Sequence, residues 1–409
     1  MSDAHGLLDA DDGHVLLVYD ETYQQALRDF PDDQPLRPVM GELAVALMRA
    51  YGLLDDPRLR IRAPRQATVD ELERVHGSDY IARVRELDTL ATARGTGFEL
   101  QDRAYGLTPP TNPVFPGIHE AAATIAGGTA LATLAVMAGE AVHAFVLLAG
   151  MHHAMRDRAS GFCVYNDPAV AIAAALAAYP AARIAYVDLD AHHGDGVQAL
   201  FWRDPRVLAI SLHESGQYLF PGSGYVEDSG GGPGQGYTVN LPLEPFAGDD
   251  TFARAFAAVV PPLLRAFRPD LIMVQLGPDT HWTDPLTELG ATVNLWPPLV
   301  DALHALAHEL CQGRLVTLGG GCYQPYTVAP RVWTRAMAVL LDREDGLTDD
   351  LPGNWLAGVT ALTPVALPRT LSDPPAPALP AARQAAIDRA ADGAIARIRA
   401  EIFPLHGIA

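Results

Sequence analysis

Short apolar runs rich in β-branched residues recur along the chain, and longer stretches with helical spacing separate them. Six runs are predicted to be strands, at residues 14–19, 144–149, 183–187, 206–212, 270–276 and 314–318. Helical periodicity is clear in 40–51, 168–178, 251–267 and 299–311. Within these runs the apolar residues follow one another rather than alternate with polar ones, as a parallel sheet covered on both faces requires. The pattern predicts an α/β fold, a single large three-layer domain with a mostly parallel sheet.

The composition changes after residue 350. Residues 371–380, LSDPPAPALP, are typical of a stiff proline-rich linker. Residues 381–401 have the pattern of an amphipathic helix, which we expect to pack on the domain or on a second subunit. We therefore divide the chain into a main domain, residues 1–350, and a tail, residues 351–409, that holds the linker and the C-terminal helix. The sequence leaves open whether the protein forms a homo-oligomer.

One apolar segment has to be weighed as a membrane span. Residues 121–139 carry no charge over 19 positions, but they are rich in Ala, Gly and Thr, and Glu140 and His143 follow at once. A buried helix is the better interpretation, so no membrane partner is expected. The N-terminal residues are acidic where a signal peptide would be basic and then apolar, and the three cysteines form no CxxC pair. These features favour the reducing cytoplasm.

Charge narrows the class of partner. The chain of 409 residues is 49% hydrophobic, which is enough for a large core, and its formal net charge is −20. A protein that binds phosphate backbones needs a basic face, so nucleic acid is not an expected partner. A negative surface attracts cationic ligands instead.

The densest polar cluster follows a predicted strand directly. In VDLDAHHGDG, residues 187–196, the side chains of Asp188, Asp190 and His192 alternate along an extended segment and would project to one side. An Asp and a His two positions apart are a natural pair of metal ligands. Because a catalytic divalent metal typically takes three protein ligands and leaves a position for water, a third ligand is needed. Asp279, which ends another predicted strand, is the best candidate.

Two more predicted strands end in reactive side chains. His152 and His153 follow the run at 144–149, and Tyr323 follows three glycines after the run at 314–318. Taken singly, tandem histidines are often satisfied core residues, and a tyrosine after glycines is often only a turn residue. Open parallel sheets build their sites at the carboxyl ends of strands, however, and four such ends now carry complementary groups. The joint arrangement favours a metal centre with acid–base groups.

The same segments resemble a known family. Five segments resemble the metal-dependent histone deacetylase superfamily in their order and spacing. They are LLAGMHHAMRDRASGFCVYND (147–167), YVDLDAHHGDGVQALFW (186–202), ISLHESGQYLFPGSG (210–224), QLGPDTHWTDPL (275–286) and LGGGCYQPYTVAPRVW (318–333). The segment GLTPPTNPVFPGIHEAAATIAGGT (106–129) is most similar to the bacterial acetoin-utilisation deacetylase branch. The resemblance covers residues 14 to 340 and implies an arginase/deacetylase-like fold with its site at the carboxyl ends of the strands.

The resemblance implies a role for each cluster. Asp190, His192 and Asp279 would hold Zn²⁺, with Fe²⁺ left open. The catalytic residues would be His152 and His153 as the proton-transferring pair, Asp188 and Asp195 as the carboxylates that orient them, and Tyr323 as the oxyanion donor.

Two further sets of residues are implied in the same way. A monovalent cation, K⁺ or another, would be held under the site by Asp188, Asp190, His192, Ser211 and Leu212, partly through backbone carbonyls. A narrow acyl-lysine channel would be lined by Gly161, Phe162, Phe220 and Leu286.

The chemistry is consistent with these roles. An amide is a poor electrophile, so a metal that binds water and polarises the acyl oxygen lowers the barrier to its hydrolysis. His153 suits the transfer of a proton from water to the departing amine because imidazole titrates near the working pH. Asp195 would fix its tautomer, and Tyr323 would donate a hydrogen bond to the oxyanion.

Three positions depart from the wider family's pattern. Eukaryotic relatives carry an Asp that grips the substrate backbone where this chain has Pro116, which cannot accept those hydrogen bonds. An Arg associated with an inner cavity is replaced by Met40, in the segment that begins at Gln34. Arginase-like enzymes hold a second metal through an Asp where this chain has Gly194, so a single metal is favoured, and His281 leaves a second metal open.

Three functions follow from these observations. The first is a zinc-dependent deacetylase that releases acetate from acetyl-lysine side chains of cytoplasmic proteins. The second is a deacetylase of small acetylated amines such as acetylpolyamines, which Pro116 and the acidic charge permit. The third is a non-catalytic acyl-lysine binder, against which the complete set of ligands and catalytic groups argues.

Overall fold

A computed structural model of the chain describes residues 14–20, 23, 27, 37–97 and 99–409. The acidic segment 1–13 and residues 34–36, where the pattern ending at Met40 begins, lie outside the described residues. Met40 itself is buried in the main core at the start of the first described helix.

The predicted α/β fold with a mostly parallel sheet is confirmed. One sheet has the strand order β2-β1-β3-β8-β7-β4-β5-β6, and every neighbouring pair is parallel. The strands are β1 Val15–Val18, β2 Leu59–Arg62, β3 His143–Val146, β4 Ile184–Asp188, β5 Val207–Glu214, β6 Thr238–Leu243, β7 Leu271–Gln275 and β8 Leu315–Leu318.

Helices cover both faces of the sheet, which gives the three predicted layers. The described residues form α1 Val39–Ala50, α2 Val69–Glu73, α3 Ser78–Arg94, α4 Ile118–Met137, α5 Asp167–Ala178, α6 Asp195–Phe201, α7 Asp249–Phe267, α8 Trp296–Cys311, α9 Ala329–Leu340, α10 Gly353–Thr360 and α11 Ala381–Glu401. Helices α4 and α5 pack together in one layer, and α1, α9, α8 and α7 pack in succession in the other. The six strands predicted from apolar runs are all present.

Both strands that the apolar pattern missed lie at the edges of the sheet. β2, with the sequence LRIR, exposes three of its four residues. β6, TVNLPL, alternates polar and apolar residues and contains Pro242. An edge strand is paired on one side only, so it tolerates polar residues and proline, and neither strand has the continuous apolar run by which the others were recognised.

The apolar segment at 121–139 belongs to a core helix. α4 is long and apolar enough to cross a membrane, but 72% of its most apolar window is buried inside the protein. It packs against α5 and against β1, β3 and β8. The small Ala, Gly and Thr side chains that argued against a membrane span allow this close packing.

The tail packs on the domain. Trp355 of α10 is buried and donates from Nε1 to the Leu43 carbonyl oxygen at 3.0 Å. α11 buries Ile387, Ile395 and Ile398 along one side and packs against α7 and β6. The division at residue 350 stays a prediction.

The sheet order places the four reactive strand ends side by side. β3, β8, β7 and β4 are consecutive neighbours at the centre of the sheet. Because all of them are parallel, their carboxyl ends meet at one edge. The segments that carry His152 and His153, Tyr323, Asp279 and Asp190 are thereby brought to a single place.

Candidate active site

The three residues predicted as metal ligands converge in a buried centre. Asp190 and His192 follow β4, and Asp279 lies in a short turn after the neighbouring strand β7. His192 Nδ1 is 2.8 Å from Asp279 Oδ2 and 3.2 Å from Asp190 Oδ1. One ligand atom from each residue lies within 4.8 Å of the other two.

The outer oxygen of each carboxylate is fixed by a neighbouring donor. Asp190 Oδ2 accepts from Gln275 Nε2 at 2.7 Å and from the Gly321 backbone N–H at 3.0 Å. Asp279 Oδ1 accepts from the Ala191 N–H at 2.8 Å. The remaining oxygens are left facing His192, and such outer contacts are what orients the ligands of a metal. A Cβ on Gly321 would lie only 2.9 Å from Asp190 Oδ2, so only glycine lets the backbone donate here.

The electrostatics of the centre fit a divalent cation. Burial and the charge of Asp190 raise the pKa of Asp279 well above its ordinary value. Burial alone would lower the pKa of His192, but the carboxylates of Asp190 and Asp279 raise it well above normal. A cation would offset the negative charge of the two buried carboxylates. One imidazole nitrogen and two carboxylate oxygens form a donor set suited to zinc or ferrous iron.

Two carboxylate–imidazole pairs lie beside this centre. His152 Nδ1 is 2.8 Å from Asp188 Oδ2, and His153 Nδ1 is 2.7 Å from Asp195 Oδ1. The Nε2 atoms of the two histidines are 3.1 Å apart and His152 Nε2 is 4.0 Å from Asp190 Oδ1. Each imidazole therefore has one nitrogen held by a carboxylate and the other turned toward the centre.

The surroundings shift the pKa values of the two histidines in opposite directions. Burial would lower the pKa of His152, but the charges of Asp188 and Asp190 outweigh it and raise the pKa to about 9. Burial, with the neighbouring charge of His152, lowers the pKa of His153 to about 4 even though Asp195 opposes it. At neutral pH these shifts favour a neutral His153, able to act as a base, beside a cationic His152.

A pH profile should show both groups. The base, His153, has a lowered pKa and is available above about pH 4, and the cation, His152, has a raised pKa and persists below about pH 9. We therefore expect kcat/KM to be high between these limits and to fall outside them.

His153→Ala should lower kcat by about 10²-fold because proton transfer is lost, and His152→Ala should lower it by clearly less. Measuring both variants over pH decides this, and equal, small losses would contradict the roles.

Tyr323 faces the centre from the loop after β8. Its ring centroid is 6.2 Å from that of His192 and 5.9 Å from that of Phe162. Its backbone N–H donates to Asp284 Oδ2 at 3.1 Å, which fixes the loop. Burial and the carboxylates of Asp279 and Asp190 raise the pKa of the phenol well above its ordinary value, so it stays a hydrogen-bond donor.

Three of the four predicted channel residues, Gly161, Phe162 and Phe220, lie beside the centre, and the channel itself stays a prediction. The Phe220 ring packs edge-on against His153 with centroids 5.0 Å apart, and Phe162 packs against Tyr323. Phe220 is 47% exposed and Leu286 is 38% exposed, so both lie nearer the surface. Gly161 has a φ of +50°, and a Cβ there would lie 2.4 Å from His153 Cδ2. Glycine is required at this point of the wall.

The predicted monovalent-cation residues are also neighbours. Asp188 and Ser211 are directly paired between β4 and β5, and Leu212 follows. The Ser211 hydroxyl is 2.8 Å from His213 Nδ1, so it already has a partner. The cation site stays a prediction.

Steric crowding at Gly194 supports the expectation that the candidate active site holds a single metal. A Cβ on Gly194 would lie 2.3 Å from Asp188 Oδ2, which leaves little room for the aspartate that a second ion requires. His281 is held elsewhere, with Nε2 2.7 Å from Asp373 Oδ2 and Nδ1 2.9 Å from the Thr283 hydroxyl.

Three supporting residues were missed in the sequence. The Tyr186 hydroxyl donates to Asp188 Oδ2 at 2.7 Å, Gln275 holds Asp190, and Asp284 holds the Tyr323 loop. Burial raises the pKa of Asp284 to about 7. Gln275 could have been found as a polar residue that ends an otherwise apolar strand, and Tyr186 from its alternation with Asp188 along β4.

Comparisons with known proteins agree with this geometry. The histone deacetylase domain matches residues 34–340. The chain is 41% identical over 359 residues to the acetoin utilization protein AcuC of Bacillus subtilis (strain 168), which covers 88% of this chain and 90% of that protein. It is 35% identical to the AcuC protein of Staphylococcus xylosus, over 84% of this chain and 87% of that protein. The AcuC protein of Staphylococcus aureus (strain MRSA252) is 36% identical, with 80% and 82% covered.

Proposed function

The chain belongs to the histone deacetylase family and is a deacetylase, and from that premise we propose that it is a zinc-dependent hydrolase of acetyl-lysine side chains in cytoplasmic proteins. The observation that carries this proposal is the placement of two carboxylate–imidazole pairs and a tyrosine around one buried Asp–His–Asp centre. A non-catalytic binder would need the channel but not the paired acid–base groups.

The residues divide the chemistry of amide hydrolysis between them. When bound, the metal would polarise the acyl oxygen and lower the pKa of a water molecule. His153, oriented by Asp195, would accept the proton of that water and return it to the departing amine. His152, held as a cation by Asp188, would stabilise negative charge beside the centre. Tyr323 would donate to the oxyanion.

Acetyl-lysine is favoured by the shape of the approach. The rings of Phe162 and Phe220 pack against Tyr323 and His153 beside the buried centre, and a channel between such rings would suit a thin aliphatic chain that ends in an amide. Phe115, next to Pro116, lines a small cavity together with Phe162 and Met151, and these two also line the centre's own cavity. Pro116 thus lies on a loop beside the channel wall and offers no carboxylate to the substrate backbone.

Peptide context should therefore matter little. For acetyl-lysine peptides that differ only in the residues beside the lysine, we expect kcat/KM values within about tenfold, or roughly 1.4 kcal/mol. Steady-state kinetics on a small peptide panel measures this, and Pro116→Asp should widen the spread. A strict sequence requirement in the unchanged protein would show that another loop recognises the backbone.

Acetylated polyamines are the second candidate substrate, because a net charge of −20 attracts polycations. Comparing kcat/KM for an acetyl-lysine peptide and an acetylpolyamine at low and high salt separates the two. A higher value for the peptide at both ionic strengths supports the proposal. A preference for the polyamine that disappears with salt would favour the alternative.

Two properties complete the proposal. K⁺ or another monovalent cation would sit under the centre at Asp188 and Ser211. The protein would work in the cytoplasm, which suits its three buried cysteines because all are free thiols.

A further inference from the structure

Three histidines converge at the edge of the sheet opposite the candidate active site. His143 is the first residue of β3, and His304 and His308 lie one turn apart on α8. The Nε2 atom of His143 is 2.9 Å from that of His304 and 3.3 Å from that of His308. The Nε2 atoms of His304 and His308 are 3.1 Å apart. One nitrogen of each ring therefore points to a common centre.

This arrangement is poorly satisfied by hydrogen bonds alone. A neutral imidazole nitrogen is either an N–H donor or a lone-pair acceptor. With three Nε2 atoms facing one another, at least two must be of the same kind and repel. Nor does the other side of His143 compensate, since its buried Nδ1 makes no regular hydrogen bond and has only a weak contact with the Gly313 backbone. A cation at the common centre would use all three lone pairs at once.

We propose that His143, His304 and His308 bind a second divalent transition metal of the zinc class through their Nε2 atoms. Zinc–nitrogen distances of 2.0–2.1 Å at a tetrahedral angle place two ligand nitrogens about 3.3 Å apart. The three observed separations of 2.9, 3.1 and 3.3 Å are near this value. His308 is exposed, so the fourth position opens to water.

The surroundings favour the ligating form of the rings. Burial, together with the neighbouring histidines, lowers the pKa of His143 well below its ordinary value. Burial and His308 also lower the pKa of His304, while Asp342 and Asp301 oppose this shift. Both shifts favour the neutral, ligating form of His143 and His304, and the carboxylates of Asp342 and Asp301 supply negative potential that attracts a cation.

The site would join two elements that are far apart in sequence. His143 belongs to a central strand and the other two ligands to a helix that covers the sheet. Metal binding to the folded chain stabilises it by mass action. Because β3 carries His143 at its start and leads to His152 after its end, this metal is separated from the candidate active site by the length of the strand.

Metal stoichiometry in matched variants tests the proposal. Full-length protein stripped by a chelator is dialysed against Zn²⁺, and bound zinc is counted per chain. We expect two equivalents in the unchanged protein, one in His308→Ala, one in Asp190→Asn and none in the double variant. Co²⁺ in the Asp190→Asn protein should give the visible absorption of a four-coordinate site, which His308→Ala should abolish.

His308 is exposed, so its replacement leaves the core intact, and Glu309→Ala on the same helix is the matched control. The affinity of the second site should fall by at least about 100-fold in His308→Ala and stay unchanged in Glu309→Ala, a larger effect than the loss of an outer contact. Zn²⁺ should also raise the Tm of Asp190→Asn but not that of the double variant. An Asp190→Asn protein that holds no zinc, or equal zinc in His308→Ala and the unchanged protein, overturns the proposal.

Discussion

Asp190→Asn should remove one equivalent of bound metal and lower kcat/KM by at least about 10³-fold. Without the metal, the transition state loses several kcal/mol of charge stabilisation. Asp190 supplies one of the three ligands that the described residues provide at the centre. The amide keeps the size of the carboxylate, so the change removes charge rather than volume. Metal content and kcat/KM, measured on the same preparation, test the expectation.

The fold should survive this change. The amide oxygen that replaces the carboxylate can still accept one of the hydrogen bonds that Gln275 and Gly321 donate to Asp190 Oδ2 in the unchanged protein. Burial and repulsion from Asp190 raise the pKa of Asp279, and the substitution relieves the repulsion. Asp79→Asn, at an exposed carboxylate in the first turn of α3, is the matched control and should change nothing. Full activity with a normal metal count in Asp190→Asn would remove Asp190 from the metal centre.

The central strands could be predicted from the sequence because strands buried on both faces require runs of apolar residues. A strand covered on both faces must be mainly apolar, and β3, β4, β7 and β8 show this pattern with a single strongly polar residue each, at a strand end in three of the four. The two edge strands lack such apolar runs, since β2 is mostly exposed to solvent and β6 contains a proline. The missed strands contribute least to the site, which lies at the centre.

The candidate site was readable for a related reason. Its reactive side chains follow strands, and parallel strands end at one edge, so sequence position and spatial position coincide. The histidine cluster had only a partial signal. His304 and His308 are four residues apart, a spacing that puts both on one face of a helix. Their partner His143 lies 161 residues earlier than His304, and only the packing of α8 against the sheet brings it near.

Opposite ends of one strand thus carry different chemistry. The loop that follows the carboxyl end of β3 carries His152 and His153, and the Nδ1 atom of each is hydrogen-bonded to a carboxylate. At the amino end, His143 faces two other histidines and no side-chain carboxylate bonds to its ring among the described residues. Carboxylate partners tune an imidazole for proton transfer, whereas imidazoles that share a centre suit a metal.

Tyr323→Phe should lower kcat by about 10² to 10³-fold, or roughly 3 to 4 kcal/mol, with a much smaller change in KM. The phenol lies beside the buried centre, with its ring 6.2 Å from that of His192, and its raised pKa keeps the proton in place. A hydrogen bond to the acyl oxygen strengthens only as negative charge develops there, so its loss weakens the transition state more than the bound substrate.

The alternative is that Tyr323 only packs the loop after β8, against Phe162. That role predicts near-normal turnover, because phenylalanine keeps the ring that packs and loses only the hydroxyl. Tyr326→Phe, three residues further on, removes a second hydroxyl from the same segment and serves as the control. Measuring kcat, metal content and Tm on both variants distinguishes the roles. A large loss of kcat confined to Tyr323→Phe, with metal and Tm unchanged, would place the phenol in the reaction itself, and near-normal turnover would exclude it.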